Sequence, residues 1–165
     1  MDELQHEDGV MGGALARVPG GSFLMTSCYQ GARAGLLVSS VQVCAREPTM
    51  LCVAARKGHA IDPLIRDSRT FAIGVVERSD TFIVRRFGAR LNGAGSATHV
   101  EGSDPFDAMA YSTLVTSCPL LPQCGTWFDC ELVRRLDLES DHELFVGQVL
   151  GVVHSGSREV VELEA

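Results

Sequence analysis

The sequence predicts a mostly antiparallel β-barrel that carries a few short helices. Short apolar runs of strand length outnumber the segments with helical periodicity. No regular alternation of strands and helices supports a parallel sheet, and no repeat or linker divides the chain. We therefore expect a single domain over residues 1–165, long enough to bury a core of its own.

The first half of the chain mixes short strands with short helices. The predicted strands cover residues 22–27, 36–44, 50–55 and 71–76, and the predicted helices cover residues 11–18, 60–68 and 79–87. Pro63 falls in the first turn of the second helix, where proline is tolerated. Ser79 and Asp80 are candidate caps for the third helix, and Gly88 ends it.

The second half is dominated by strands. Residues 89–103 are rich in Gly, Ser, Asn and Thr and predict a surface loop. A short helix is expected over residues 104–111, because Asp104-Pro105 suits a helix start. The remaining predicted strands cover residues 114–121, 126–134, 143–153 and 158–164, with an acidic turn at 137–141.

Charge is concentrated at the two ends of the chain. The net charge is −7, of which residues 1–8 carry −4 and residues 158–165 carry −2. Nucleic-acid binding is not expected, because no basic face compensates for phosphate repulsion. No apolar run reaches the ~18 residues that span a bilayer, and the acidic start does not resemble a signal peptide. We therefore expect a cytoplasmic protein with no membrane contact.

The six cysteines are predicted to be free thiols in such a reducing compartment. Cys28, Cys44, Cys52 and Cys130 stand in apolar surroundings and are expected to be small core residues. The pair Cys118 and Cys124 lacks the closer spacing and the partnering His or Cys pair of a zinc site. No metal site is predicted.

A Ser-Ser pair interrupts the predicted strand over residues 36–44. Adjacent strand residues point to opposite faces, so Ser39 and Ser40 either offer one hydroxyl to each face or mark a place where the strand opens towards a ligand. An ordinary polar break is the alternative. Pro48 ends the stretch because it cannot donate to a sheet ladder.

Three stretches of the chain resemble the flavin reductase family. The first combines Gly35, Val38, Ser39 and Ser40 with Glu47-Pro48 at its end. The second is Arg56-Lys57-Gly58-His59, followed by Ile61, Ile65, Ser68 and Phe71. The third, Asp141-His142-Glu143-Leu144-Phe145-Val146-Gly147-Gln148-Val149, is similar to the family's G-D-H-x-L-F-x-G-x-V. They follow the family's order and spacing within residues 14–153.

The resemblance implies a Greek-key split barrel that forms a homodimer and binds FMN near the subunit interface, with FAD or riboflavin as other candidates. It implies that Ser39, Ser40, Val41, Gln42 and Val43 line the flavin ring. The chain departs from the family pattern at Leu37, Ala45 and Thr49, where Thr, Ser and Pro are usual.

The turn Lys57-Gly58-His59 is the predicted phosphate site. It joins a cation, a flexible backbone and an imidazole just before a predicted helix, whose free amides favour an anion. Family members have a similar basic turn here, and a solvated strand-to-helix turn is the alternative. Judged only from its neighbours, His142 is a turn residue between Asp141 and Glu143. The family resemblance instead implies that it lies over the flavin, near the nicotinamide, as the catalytic residue.

The function expected from the resemblance is that of an NAD(P)H-dependent flavin reductase. The reduced flavin would pass electrons to free flavin, to a partner monooxygenase or to another acceptor. Because the chain has no G-x-G-x-x-G or Walker sequence, NAD(P)H is expected to dock transiently. The alternatives are a non-enzymatic FMN-binding electron carrier or flavin store, and a haem- or ligand-binding split barrel with His59 or His142 as axial ligand.

Overall fold

The computed structural model describes residues 10–77, 79–88 and 104–161. Within these ranges the chain forms eight strands and two helices of 8 and 7 residues, and residues 10–15 add a short helical segment. In chain order the elements are β1 (Phe23–Tyr29), β2 (Ala32–Val38), β3 (Ser40–Arg46), β4 (Thr49–Arg56), α1 (Ile61–Ser68), β5 (Thr70–Val75), α2 (Thr81–Phe87), β6 (Thr126–Asp137), β7 (His142–His154) and β8 (Ser157–Val160).

The strands form one antiparallel sheet that curls into a split barrel. Hydrogen-bonded neighbours follow the order β2-β1-β5-β6-β7-β4-β3, and β8 pairs with the C-terminal end of β7. Strands β2 and β3 are the two edges of this order, yet only Ser39 separates them along the chain. The sheet therefore curves until its edges approach each other, and the predicted antiparallel barrel with few helices is confirmed.

The prediction of one continuous strand over residues 36–44 is wrong, because two strands meet there. β2 ends at Val38 on β1, whereas β3 begins at Ser40 on β4. Ser39 pairs in neither ladder and is exposed, and its carbonyl accepts a hydrogen bond from the Gly21 N–H at 3.1 Å. The Ser-Ser pair thus marks the joint between the two sheet edges.

Two clusters of buried apolar side chains form the core. The larger fills the barrel, and α1 packs Ile61 and Ile65 against it with no exposed surface. The smaller surrounds Trp127, whose indole N–H donates to the Leu121 carbonyl at 3.0 Å. Because two buried isoleucines anchor α1, the turn that joins β4 to α1 has a fixed place beside the barrel.

The predicted helices at α1 and α2 are confirmed. Asp80 caps α2 by accepting a hydrogen bond from the Ile83 N–H at 3.0 Å, and this helix ends before Gly88 as predicted. The helix predicted over residues 11–18 is confirmed only in its first part. In the described part of the chain, helices long and apolar enough to span a membrane are absent.

Two elements predicted in the second half are loops. Residues 104–111 form turns rather than a helix, and the strand predicted over residues 114–121 is reduced to an isolated bridge between Ser112 and Leu120. Residues 89–103, predicted to be a surface loop, lie outside the described residues.

The buried carboxylate of Asp129 explains why no strand forms there. It accepts hydrogen bonds from the backbone N–H groups of Val115 and Thr116 at 2.8 and 2.7 Å, and from the Thr116 hydroxyl at 2.6 Å. Asp129 has no exposed surface. These side-chain bonds satisfy the loop backbone where a sheet ladder would otherwise do so.

The cysteines are free, as predicted, but of the four that were expected in the core only Cys130 is buried, and Cys28 and Cys52 are half-buried. Cys44 is exposed, since it lies on the edge strand β3, and is not a core residue. Burial raises the pKa of the Cys118 and Cys124 thiols to about 12, so both are neutral. Among the residues that the structure describes, no three His, Cys, Asp or Glu side chains are grouped to hold a metal ion.

Candidate functional site

A cavity of about 430 Å³ lies on the outer surface of the barrel, next to the joint at Ser39. Strands β3, β4 and β7, the first residue of β1 and the segment 18–21 form its walls. Its lining residues are Val18, Pro19, Gly20, Gly21, Phe23, Ser40, Val41, Gln42, Cys52, Ala54 and Leu144.

Strand register explains why these side chains meet. Ser40 pairs with Ala54, which in turn pairs with Leu144, and two residues along Gln42 pairs with Cys52. Because alternate strand residues share a face, these side chains form one patch on the outside of the sheet. The patch is small and apolar on β4 and β7 and polar on β3, which suits one face of a flat ring with a polar edge.

Three of the five predicted ring contacts line this cavity, namely Ser40, Val41 and Gln42. Ser39 and Val43 are not among its lining residues. Ser39 nevertheless shapes the cavity, because its carbonyl holds the N–H of Gly21 in the opposite wall. Val43 is 53% exposed at the sheet edge.

His142 lies at the start of β7, on the same sheet face as Leu144 and opposite Arg56. Its Nδ1 is 2.8 Å from Oδ1 of Asp141, and its side chain is 45% exposed. The hydrogen bond with His142 lowers the pKa of Asp141, so that carboxylate stays ionised. An acceptor at Nδ1 favours the tautomer with hydrogen on Nδ1, which leaves Nε2 free to accept a hydrogen bond.

The two acids that flank His142 have different roles. Asp141 binds the imidazole, whereas Glu143 points into the barrel, where it is 2% exposed. There its carboxylate forms a bidentate ion pair with Arg135, whose guanidinium lies over the Phe145 ring. His142 is therefore not held between two carboxylates: Asp141 contacts its ring, whereas Glu143 is bound to Arg135.

The predicted phosphate turn lies directly after β4. The Lys57 N–H donates to the Asp141 carbonyl at 3.0 Å, which ties this turn to the one that precedes His142. The Lys57 ammonium is bound to the carboxylate of Asp137. The cation proposed for phosphate thus already has an anionic partner.

The amides of the turn also have partners. Gly58 has a φ of +80° and its N–H donates to Oδ2 of Asp62 at 2.8 Å. Nδ1 of His59 accepts a hydrogen bond from the Ile61 N–H at 3.2 Å. Burial lowers the pKa of His59, with Asp62 acting in the opposite direction, so the imidazole is neutral at neutral pH.

The Lys57 ammonium and the Gly58 N–H, two of the donors that a phosphate would use at this turn, have internal partners. Oδ1 of Asp62 is buried and has no hydrogen-bond partner among the described residues. The hydrogen bonds that Arg135 donates to Glu143 raise the pKa of Arg135, and the charges of Asp62 and Asp137 add to this effect. A second anion here would face several carboxylates and few unoccupied donors.

Sequence reasoning missed the far side of the cavity. Cys52, Ala54 and Leu144 face the ring site because β4 lies between β3 and β7, and the order of strands cannot be seen in the sequence. The period-2 alternation of these residues was the available signal. Asp62 was missed as well, since the helical pattern gives no sign that its carboxylate folds back onto Gly58.

A second cavity of about 610 Å³ lies at the other end of α1. The β1–β2 turn at Gln30, the end of α1 at Ser68 and the loop at Thr116 line it. None of the predicted site residues contributes to it.

An antiparallel barrel that is split between β2 and β3, with a ring-sized cavity beside the split, defines the class of split-barrel domains. The chain belongs to the flavin reductase like domain family, whose profile matches residues 15–161. The three sequence resemblances that pointed to this family lie within the matched range.

The sequence of this chain is identical to those of curated relatives at about a quarter of the aligned positions. The chain is 24% identical to the FMN reductase (NADH) RutF of Yersinia enterocolitica over 142 residues, which cover 86% of this chain and 72% of that protein. It is also 24% identical to diflavin flavoprotein A 1 of Synechocystis over 148 residues. That match covers 89% of this chain and 24% of the relative, so the chain spans only about a quarter of the longer protein.

Solved structures share the fold. The NADH:FAD oxidoreductase SgcE6 of Streptomyces globisporus superposes with a TM-score of 0.69 at 19% identity, covering 91% of this chain and 90% of that one. A homologue of nitrilotriacetate monooxygenase component B from Mycobacterium thermoresistibile gives a TM-score of 0.71 at 16% identity, covering 96% and 88%.

Proposed function

We propose that this protein is an NAD(P)H-dependent flavin reductase that transfers a hydride from the pyridine nucleotide to a bound flavin. One observation carries the proposal. Ser40, Val41 and Gln42 line a single cavity, and His142 lies two residues before the cavity residue Leu144, on the same face of the sheet as Leu144. Family membership supports the choice of flavin, and FMN is the form expected from the sequence.

The proposed roles follow from the lining of the cavity. Cys52, Ala54 and Leu144 supply an apolar surface for one face of the ring, while Ser40 and Gln42 offer hydrogen-bonding groups to its polar edge. The hydride chemistry belongs to the flavin, once bound. Lys57, Gly58 and His59 lie beyond the Ala54 end of β4, where they would contact the flavin side chain.

His142 is the proposed catalytic residue. Asp141 fixes its ring through Nδ1, so Nε2 can accept a hydrogen bond from the carboxamide of a nicotinamide. Holding the nicotinamide in place would contribute to rate, because the reacting atoms must approach to about 3–3.5 Å.

A homodimer is part of the proposal. Large apolar side chains remain exposed near the cavity, including Val43 at 53% and Leu136 at 48%, and Leu136 pairs with the cavity residue Leu144. Exposed apolar groups beside a ligand site favour a second protein surface. A partner monooxygenase that receives reduced flavin is proposed by analogy with the component B homologue.

Anaerobic mixing with NADH or NADPH tests the function. We expect the purified protein to bind flavin and the absorbance of oxidised flavin to bleach on mixing with one nucleotide. Bound flavin that neither nucleotide bleaches, but dithionite does, would identify a carrier or store instead. A Soret band in the purified protein would identify a haem module.

A further inference from the structure

We propose that Cys44, Met50 and Cys52 form a binding site for a soft monovalent cation, Cu(I), on the outer face of the sheet. The three sulfur atoms come from the neighbouring strands β3 and β4. Cys52 also lines the cavity of about 430 Å³, but the metal site does not depend on hydride transfer or on a bound flavin.

A β-bulge brings Cys44 next to Met50. The pair Val43–Leu51 is followed along the ladder by the pair Ala45–Met50, so Cys44 is an additional residue of β3. In a bulge of this kind, two residues of one strand lie opposite one residue of the other. Cys44 therefore faces Met50, and its Sγ–H donates to the Met50 carbonyl at 3.5 Å.

The two cysteines share the outer face of the sheet. Gln42 and Cys52 are ladder partners and line the same cavity, and Cys44 follows Gln42 by two residues in β3. Because residues two apart in a strand share a face, Cys44 and Cys52 are diagonal neighbours, which lie about 7–8 Å apart across a ladder. Burial raises the pKa of the Cys52 thiol, and the charge of the nearby Cys44 raises it further.

Met50 supplies the third sulfur. It precedes Cys52 by two residues in β4 and is half-buried, whereas Leu51 between them is buried in the barrel. Met50 and Cys52 therefore share the outer face. A methionine side chain is unbranched and has three rotatable bonds, so the thioether can turn towards an ion that lies between the two thiols.

The type of ligand selects the metal. Thiolate and thioether sulfurs are soft ligands that favour Cu(I), whereas a structural zinc site uses four ligands drawn from thiolate, imidazole and carboxylate groups. A His, an acid or a third Cys beside the two thiols would supply such ligands, but no group of that kind is present in the described ranges. Because the pKa of Cys52 is raised, this thiol is neutral, and Cu(I) must displace its proton on binding.

Competition between the full chain and a colorimetric Cu(I) chelator tests the site. The protein is reduced and kept anaerobic, so that both the thiols and the copper stay reduced. We expect each chain to withdraw one Cu(I) ion from the chelator, and an equal concentration of Zn(II) to leave this binding unchanged. A chain that withdraws no Cu(I), or that loses it to Zn(II), would overturn the inference.

Variants that each remove one sulfur identify the ligands. Loss of a group that only orients a metal ligand costs about 10–100-fold in affinity, and we expect Cys44→Ser and Cys52→Ser to lower Cu(I) affinity by at least the upper figure. Met50→Leu keeps an apolar side chain of similar size and should lower the affinity about tenfold, since a thioether is a neutral ligand.

Cys28→Ser is the matched control, because it removes a half-buried thiol from β1. Its Cu(I) affinity should stay within about twofold of that of the unmodified chain, well inside the cost of losing a ligand. Unchanged affinity in Met50→Leu, or an equal loss in Cys28→Ser, would refute the three-sulfur site. These measurements need no flavin, so a chain that binds Cu(I) but is not bleached by NAD(P)H would retain this inference and lose the proposed function.

Discussion

The carboxylate of Asp141 holds Nδ1 of His142 at 2.8 Å, at the point where β7 begins. The carbonyl of the same aspartate accepts the Lys57 N–H at 3.0 Å. Asp141 therefore links the proposed catalytic histidine to the turn beside the proposed flavin side chain. Substitution of His142 can therefore test its effect on hydride transfer separately from its effect on flavin binding.

Removal of the His142 imidazole should slow hydride transfer without releasing flavin. We expect His142→Ala to change flavin affinity less than threefold, under ~0.7 kcal/mol, and to slow reduction by NAD(P)H at least tenfold, over ~1.4 kcal/mol in the barrier. Anaerobic stopped-flow bleaching measures the rate, and reduction by dithionite should stay normal. His154→Ala, an exposed histidine at the other end of β7, is the matched control. Equal rates of flavin reduction in the two variants would show that His142 is only a turn residue and has no role in hydride transfer.

The proposed dimer should be visible as mass. Light scattering at micromolar concentration should give about twice the chain mass of 17.7 kDa. Leu136→Asp places a charge beside the cavity and should shift the protein towards monomer and weaken flavin binding. Val84→Asp alters a side chain on α2 that is 45% exposed, and should do neither. A monomeric wild type that retains tightly bound flavin would contradict the dimer.

Loss of the Asp129 carboxylate should destabilise the fold. Asp129→Ala leaves two backbone N–H groups and one hydroxyl without their buried acceptor, and we expect the free energy of unfolding to fall by about 3 kcal/mol. Urea denaturation measures the change. Asp107→Ala, whose side chain is 72% exposed, should stay within about 0.5 kcal/mol of wild type. A comparable loss in both variants would show that the buried hydrogen bonds are not the cause.

His59 should make stability depend on pH below its ordinary pKa of 6.5. Burial lowers its folded-state pKa, so the unfolded chain binds the proton more readily than the folded one. The free energy of unfolding is therefore highest above pH 6.5 and falls as the pH drops through that value towards the folded-state pKa. His59→Asn keeps an acceptor for the Ile61 N–H and should flatten this part of the profile. Parallel profiles for both proteins, measured by urea denaturation between about pH 5 and 8, would contradict the assignment.

The elements with strong local patterns were predictable from the sequence. Strand β7 alternates buried and half-buried residues along its length, and α2 has both a capping aspartate and a terminal glycine. The joint at Ser39 was not predictable, because residues on both sides of it are strand formers. Only their different partners, Phe23 for Val38 and Ala54 for Ser40, separate the two strands.

The candidate site was predictable where it follows a motif and hidden where it depends on pairing. Ser40 and Gln42 lie in the first family-like stretch, and His142 lies in the third. Leu144 faces the cavity because of its register with Ala54, which depends on contacts between distant parts of the chain. The partner of Lys57 was hidden for the same reason, since Asp137 lies 80 positions away from it.

The split at Ser39 divides the walls of the cavity into a part held within the sheet and a part held at its edge. The floor consists of β4 and β7, each paired on both sides within the sheet. In the part of the chain that the structure describes, β3 pairs only with β4, and segment 18–21 is bonded through the Gly21 N–H to the Ser39 carbonyl. Amide hydrogens in weakly held edges exchange through local opening, at a free energy well below that of global unfolding. We therefore expect a planar ligand to enter between β3 and segment 18–21 while the ladder between β6 and β7 stays intact.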